Sequence, residues 1–424
     1  MTRRPSPRTS LPAKASQPAR RRSRRLQVDW RALPKDLVEF IAGKLPSARD
    51  ACAFRVVCRA WYFALSFAKT VAPVLLLPFN PYSTEDAATF YRMTADKGDG
   101  KFFTRNGLSE LRGKVMCGSS RGWLALADEV ANVKLLNPFN GATADLPPGD
   151  ERVAAASWRA VSMVVEADGG RRRWLRRYPD GSDHPVGLNS IPDVFFREIV
   201  LSSHPGSGRC VAMAVLAFSS TVAFCRVGVD HSWKLLHTKM ICRIGSVIYC
   251  PGRNRFLAIG TGGVSICHVS GRTPTARPVP SLTDRLPRQI IPRSYLQLDG
   301  ELHLVGTVSA TGSTYCYKCN VFARTPAWSR VRNSPDMTLF VSNKFTVGTG
   351  GASVSGFKKD SIYFPEHINR YYAAPAGRRR HHELEIINIT EGTSELQAYR
   401  EKSPGSSDAL CWIQPNPWAR YVRD

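Results

Sequence analysis

The chain has 424 residues, of which 43% are hydrophobic and 10% aromatic, and its formal net charge is +25. That length exceeds one ordinary domain, and that composition excludes a wholly disordered chain. No apolar run approaches the roughly 20 residues a helix needs to span a bilayer. The charge excess suits acidic partners, protein or nucleic acid, or a tail that holds anions without specificity.

Residues 1–25 contain nine Lys/Arg and no acid, which predicts a disordered basic tail. Arg20, Arg21, Arg22, Arg24 and Arg25 form a compact run suited to nuclear import. The same composition resembles an organelle transit peptide, but Pro5, Pro7, Pro12 and Pro18 break any amphipathic helix there. The expected location is therefore nucleus and/or cytoplasm. Residues 26–69 read as helices. Pro34 suits a first helical turn. Leu37, Phe40, Ile41 and Leu45 recur at helical spacing, and Pro46 is expected to stop the helix. Phe54, Val57, Cys58, Trp61 and Leu65 continue the pattern on a second helix, for which Ser47 and Asp50 suit the N-terminus.

Beyond residue 70 the period changes. Short apolar runs such as "GWLALA" (122–127), "VAMAVLAF" (211–218) and "ELHLVGTV" (301–308) are bounded by Gly, Pro, Asn, Asp and Ser. Many short strands with frequent turn signals predict an all-β body over residues 70–400. "SVIYCPGRNRFLAIG" (246–260) and "SYLQLDGELHLVG" (294–306) repeat with Gly252 and Gly300 at a blade-sized interval of 48 residues. "RGWLALADEVANVKLLNPF" (121–139) and "TVAFCRVGVDHSWKLLHT" (221–238) share a hairpin rhythm. The predicted fold is a small all-α unit followed by a six- or seven-bladed β-propeller. Residues 401–424 match no recognisable element.

The chemistry-bearing residues offer little catalysis. Eleven cysteines, an odd number, sit mostly inside apolar runs and read as buried free thiols in a reducing compartment. Cys316 and Cys319 form a CxxC, but in a strand they face opposite ways, and no second pair supplies a metal site. "GTGGVS" (260–265) and "GTGGAS" (348–353) lack the ending of a phosphate loop and read as hairpin turns. His381 and His382 follow three arginines in a polar loop. "RRRWLRR" (171–177) interleaves Trp174 with charge and reads as a solvated hairpin in preference to a nucleic-acid site. No catalytic residue, metal ligand or cofactor is expected.

"LPKDLVEFIAGKLPSARDACAFRVVCRAW" resembles an F-box through Leu33, Pro34, Leu37, Ile41, Leu45, Pro46, Val57, Cys58, Arg59 and Trp61. "SSRGWLALA" and "VKLLNPFNGATADLPP" (119–148), with "SYLQLDGELHLVG" and "TLFVSNKFTVGTGGASVSGFKKDSIYF" further on, resemble the KIB-type propeller found behind F-boxes in plants. The first resemblance implies docking on a Skp-type adaptor and, through it, a cullin scaffold. The chain would then be the substrate receptor of an SCF-type ubiquitin ligase, the propeller holding an unknown target protein. The alternative is a basic nuclear propeller that binds nucleic acid or an acidic protein, with a non-functional F-box.

Overall fold

The computed structural model describes residues 29–42, 44–45, 48–58, 60–61, 72–93, 100–157, 161–165, 172–178, 180–279, 282, 289–332, 337–342, 357–365, 382–399 and 411–416. Among the described residues, the N-terminal unit includes the helices α1 (Lys35–Ala42) and α2 (Ala48–Arg55). The Pro34 carbonyl accepts from the N–H groups of Leu37 and Val38, closing the first turn. At the other end Lys44 and Leu45 donate to the carbonyls of Ile41 and Ala42, the tight i to i−3 pattern that ends a helix. The predicted stop, Pro46, lies outside the described residues.

Only part of the predicted apolar stripe of α1 turns inward. Val38 and Ala42 are buried with Phe54 and Trp61, and Leu33, Ile41, Leu45 and Cys58 pack around them. Val38, Ile41, Ala42 and Leu45 thus form the inner i, i+3, i+4, i+7 face, and Leu37 and Phe40 point outward. The Phe54 and Trp61 rings lie 4.5 Å apart, and Trp61 Nε1 donates to the Trp30 carbonyl at 3.1 Å.

The β body is a ring of six four-stranded blades. Blade 2 is Lys114–Ser120, Trp123–Asp128, Val133–Leu136 and Thr143–Leu146. Blade 3 is Phe196–Leu201, Val211–Leu216, Thr221–Arg226 and Lys234–His237. Blade 4 is Ile244–Cys250, Arg255–Gly260, Gly263–His268 and Thr275–Val279. Blade 5 is Ile290–Leu298, Glu301–Val308, Thr314–Cys319 and Ser329–Arg330. Blade 6 is Thr338–Phe340, Ser361–Pro365, His382–Asn388 and Ser394–Tyr399. Its first pair is parallel, unlike the antiparallel pairs of the other blades. His382 starts a strand here, where the sequence suggested a loop.

Blade 1 closes the circle. Its outer strands are Val74–Leu76, Ala88–Arg92 and Lys101–Arg105, and its inner strand is the C-terminal Cys411–Ile413. That segment, unplaced by sequence, pairs antiparallel with Val74–Leu76 and is fully buried.

Burial explains why so many strands are apolar at every position. Each blade is covered on both sides by its neighbours, so alternation between faces becomes alternation between two cores. In Val211–Leu216, Ala212, Ala214 and Leu216 pack toward blade 2, whereas Val211, Met213 and Val215 pack toward blade 4. The same division gives apolar cores between blades 4 and 5, 5 and 6, 6 and 1, and 1 and 2.

A seventh sheet, of Val161–Val165, Arg172–Arg177 and Asp183–Pro185, lies outside this circle. The inner strands of blades 2 and 3 touch each other directly, leaving no room for a blade between them. A Cβ on Gly118 would come within 2.5 Å of the Ile199 carbonyl oxygen across that seam. The extra sheet caps the core between blades 2 and 3 from outside through Trp174 and Val186.

The 48-residue repeat holds in three dimensions: both copies form the first hairpin of a blade, in blades 4 and 5. Inner-strand bulges deepen it, placing Arg197, Gly245 and Arg293 at equivalent positions 48 residues apart. The other hairpin match is out of phase. Residues 121–139 carry strands two and three of blade 2, but 221–238 carry strands three and four of blade 3.

Candidate functional site

The helical unit presents an apolar surface its own core does not use. Leu37 is 50% exposed, Phe40 64%, Val56 68% and Trp30 58%. Among the residues expected at an adaptor surface, Pro34, Leu37 and Val57 are exposed. Leu33, Ile41, Leu45 and Cys58 are half-buried, and Trp61 is buried. Pro46 lies outside the described residues, as do Arg20, Arg21, Arg22, Arg24 and Arg25. The expected set therefore divides into residues that build the unit and residues that face out from it. Phe40, Val56 and Trp30 are outward positions that motif matching did not single out. Helical phase referred to Val38, in place of Leu37, would have exposed Phe40.

The propeller offers few reactive groups. Ten described cysteines are unpaired, and eight of them are buried. Burial pushes the thiols of Cys117, Cys267, Cys316 and Cys411 up to about 12, so they are inert. Cys316 faces the core between blades 5 and 6 and Cys319 the core between blades 4 and 5, as the strand reading requires. Among the described residues no group of three or more His, Cys, Asp or Glu could hold a metal ion.

The arginine-rich strand is exposed at Arg172, Arg173 and Arg177, and Arg177 is paired with Asp183 at 2.8 Å. Trp174, by contrast, is fully buried. It packs 4.7 Å from the Phe195 ring and donates to the Val130 carbonyl. It has no face free for a nucleobase, so the feature that suggested nucleic acid serves the extra sheet's attachment.

One buried carboxyl lies where two inner strands meet. Glu198 follows the blade 3 bulge, accepts from the Val247 N–H at 3.2 Å and bonds Ser246 in blade 4. The equivalent positions in blades 2, 4 and 5 are Gly118, Ser246 and Ser294. Burial pushes the Glu198 carboxyl up to about 7, opposed by those hydrogen bonds and by the nearby Arg197.

A family model described as KIB1-4 beta-propeller matches residues 90–388, well over half of the chain. The chain belongs to the KIB1-4 β-propeller family. Two Arabidopsis thaliana proteins also match. "Putative F-box protein At1g65770" is 31% identical over 26% of this chain and 31% of that protein. "F-box protein SKIP23" is 30% identical over 30% of this chain and 31% of that protein. The chain thus spans about a third of the length of the curated relatives it matches. A solved, functionally unknown protein from Desulfotomaculum acetoxidans DSM 771 aligns over 82% of this chain and 100% of that one. Its 12% identity and TM-score of 0.36 are too distant to bear on function. The KIB1-4 match stops short of residues 411–413, so blade 1 is closed by a strand beyond the matched span.

Proposed function

We propose that this KIB1-4 family chain is the substrate-recognition subunit of an SCF-type ubiquitin ligase. The helical unit docks on a Skp-type adaptor and thereby on a cullin scaffold. The propeller holds a target protein, and the complex acts in the nucleus and/or cytoplasm, with Arg20, Arg21, Arg22, Arg24 and Arg25 directing import. The observation that carries the reading is the outward apolar surface of Leu37, Phe40, Val56 and Val57, which lies apart from the buried cluster that Val38, Ala42, Phe54 and Trp61 form among the described residues. Such a surface on so small a unit is stabilised by burial against a partner. The F-box names of the two plant relatives support it. The receptor needs no nucleophile. Holding the target beside a ubiquitin-charged enzyme raises its effective concentration at the transfer site.

Co-purification of the full chain with a Skp-type adaptor tests the reading. The wild type should retain the adaptor, and Leu37→Ala with Phe40→Ala should lose it while the chain keeps its circular dichroism spectrum. Truncating two exposed anchors of this kind weakens binding by about 2 kcal/mol or more. A wild type that retains no adaptor, or a double variant that retains it fully, defeats the assignment.

A further inference from the structure

In blades 2 to 5 the first-to-second and third-to-fourth strand connections emerge on one side of the ring, because every pairing there is antiparallel. On that side blade 2 turns through two residues, Arg121 at φ 55° and Gly122 at φ 83°. Blade 5 makes the same turn with Asp299 at φ 46° and Gly300 at φ 84°. Two positive φ values in a two-residue hairpin favour Asn-Gly or Asp-Gly, which is what blade 5 uses. A long arginine is a poor choice for this conformation, and strain of this kind gathers at binding sites.

The arginine reaches across the inner ends of three blades. Its Nε donates to the Leu201 carbonyl of blade 3 at 3.0 Å, and its guanidinium carbon lies 5.6 Å from the centre of the Tyr249 ring of blade 4. Leu201 in turn donates its N–H to Ser120 Oγ in blade 2. Asn416, beyond the closing strand of blade 1, donates to the Arg121 carbonyl at 3.4 Å. Gly122 has no Cβ because one would lie 2.7 Å from the Gln414 carbonyl oxygen. Four blades therefore converge on Arg121 at the axial mouth.

The guanidinium is hydrogen-bonded through Nε alone, and among the described residues no carboxylate pairs with it. It is reached by solvent, yet the surrounding turns desolvate it enough to lower its pKa. Its outer N–H groups remain as a fork for a planar anion. Exposed cations line the same side, with Arg209 on blade 3, Arg253 on blade 4 and Arg324 on blade 5; the exposed acid Asp299 sits at the blade 5 turn. The nearby aromatic faces are covered, Tyr249 by Arg121 and Phe322 by Arg253 at 5.4 Å. These two rings are engaged by cations, whereas a carboxylate needs no aromatic platform.

We propose that Arg121 receives a side-chain carboxylate of an acidic protein segment that docks across this axial mouth. The proposal rests on the reading of the propeller as the target-holding domain. Fluorescence anisotropy with the purified full chain tests it, the probes being a labelled glutamate octapeptide, a glutamine octapeptide and an oligouridylate. The glutamate peptide should bind at low salt and the glutamine peptide should not. Arg121→Asn, which places a residue the turn prefers, should weaken binding at least tenfold while keeping the wild-type urea midpoint. Arg277→Asn removes an equal charge from the exposed outer strand of blade 4 and should change affinity less than twofold. Arg121→Lys keeps the charge, loses the fork and should bind several-fold more weakly. If the asparagine variant fails to fold, the lysine variant carries the test. Equal losses in the Arg121 and Arg277 variants, an unchanged lysine variant, or Arg121-dependent binding of oligouridylate alone would overturn the proposal. Adaptor retention, measured in the same preparations, reports separately on the ligase reading. Arg121-dependent peptide binding without adaptor retention defeats that reading and leaves the mouth site standing.

Discussion

Trp412→Ala isolates the closing strand. Trp412 is fully buried, lies edge-on to Phe340 with centroids 5.1 Å apart, and donates Nε1 to the Tyr363 carbonyl at 3.2 Å. It therefore joins blade 1 to blade 6 at the seam where the two ends of the ring meet. Truncating a buried tryptophan to alanine costs about 3–5 kcal/mol. The orphaned-acceptor cost should be small, because the Tyr363 carbonyl also accepts from the Val341 N–H. The loss is thus mostly packing, and Trp412→Phe should recover more than half of it. Urea unfolding followed by far-UV circular dichroism measures the magnitude. Hydrogen exchange at Val74–Leu76 measures the mechanism, since that strand loses its inner partner when Cys411–Ile413 detaches. Trp174→Ala is the matched control. The side chain is equally buried but sits in the sheet outside the ring, so exchange at Val74–Leu76 should stay as in the wild type. A Trp412→Ala loss under about 1 kcal/mol, far below the usual cost of such a truncation, or unchanged exchange at Val74–Leu76, would refute the account of ring closure.

Glu198 predicts a pH dependence with a definite sign. Its folded pKa of about 7 exceeds the ordinary 4.5, so the native state holds a proton that the unfolded state releases between those values. Stability should fall by about 3 kcal/mol as pH rises through that window, at roughly 1.4 kcal/mol for each pH step of one. Glu198→Gln should flatten the fall, and a variant with the wild-type pH profile in urea titrations would contradict it. Gly118→Ala should cost more than about 2 kcal/mol, because its Cβ would meet the Ile199 backbone, which cannot yield as a flexible side chain would. Gly141→Ala, at positive φ but in open space, should cost about 1 kcal/mol in the same assay.

The helical unit was legible because its residues are typed locally: a proline at a helix start, aliphatic positions at helical spacing and a tryptophan that closes the core. Which of them face outward was not. Leu37 and Val38 are equally plausible as the centre of a buried stripe until α2 supplies Phe54 and the chain beyond it supplies Trp61. Arg121 lies inside a recognisable run yet does not stand out within it. Its one signal, an arginine before glycine in a tight turn, acquires meaning only beside the Asp299-Gly300 turn of blade 5.

The sequence by itself determined that the body is β, that many of its short strands are apolar runs bounded by turn residues and that one hairpin recurs after 48 residues. Apolar content and turn residues are local properties that write those features directly. Tertiary structure alone decided the number of blades, because a sheet outside the ring is built from the same strand chemistry as a sheet within it. It alone decided how the circle closes. Cys-Trp-Ile is too short to read as a strand until Val74–Leu76, from the opposite end of the propeller sequence, pairs with it. Closure is a long-range pairing, and no local pattern encodes the partner it needs.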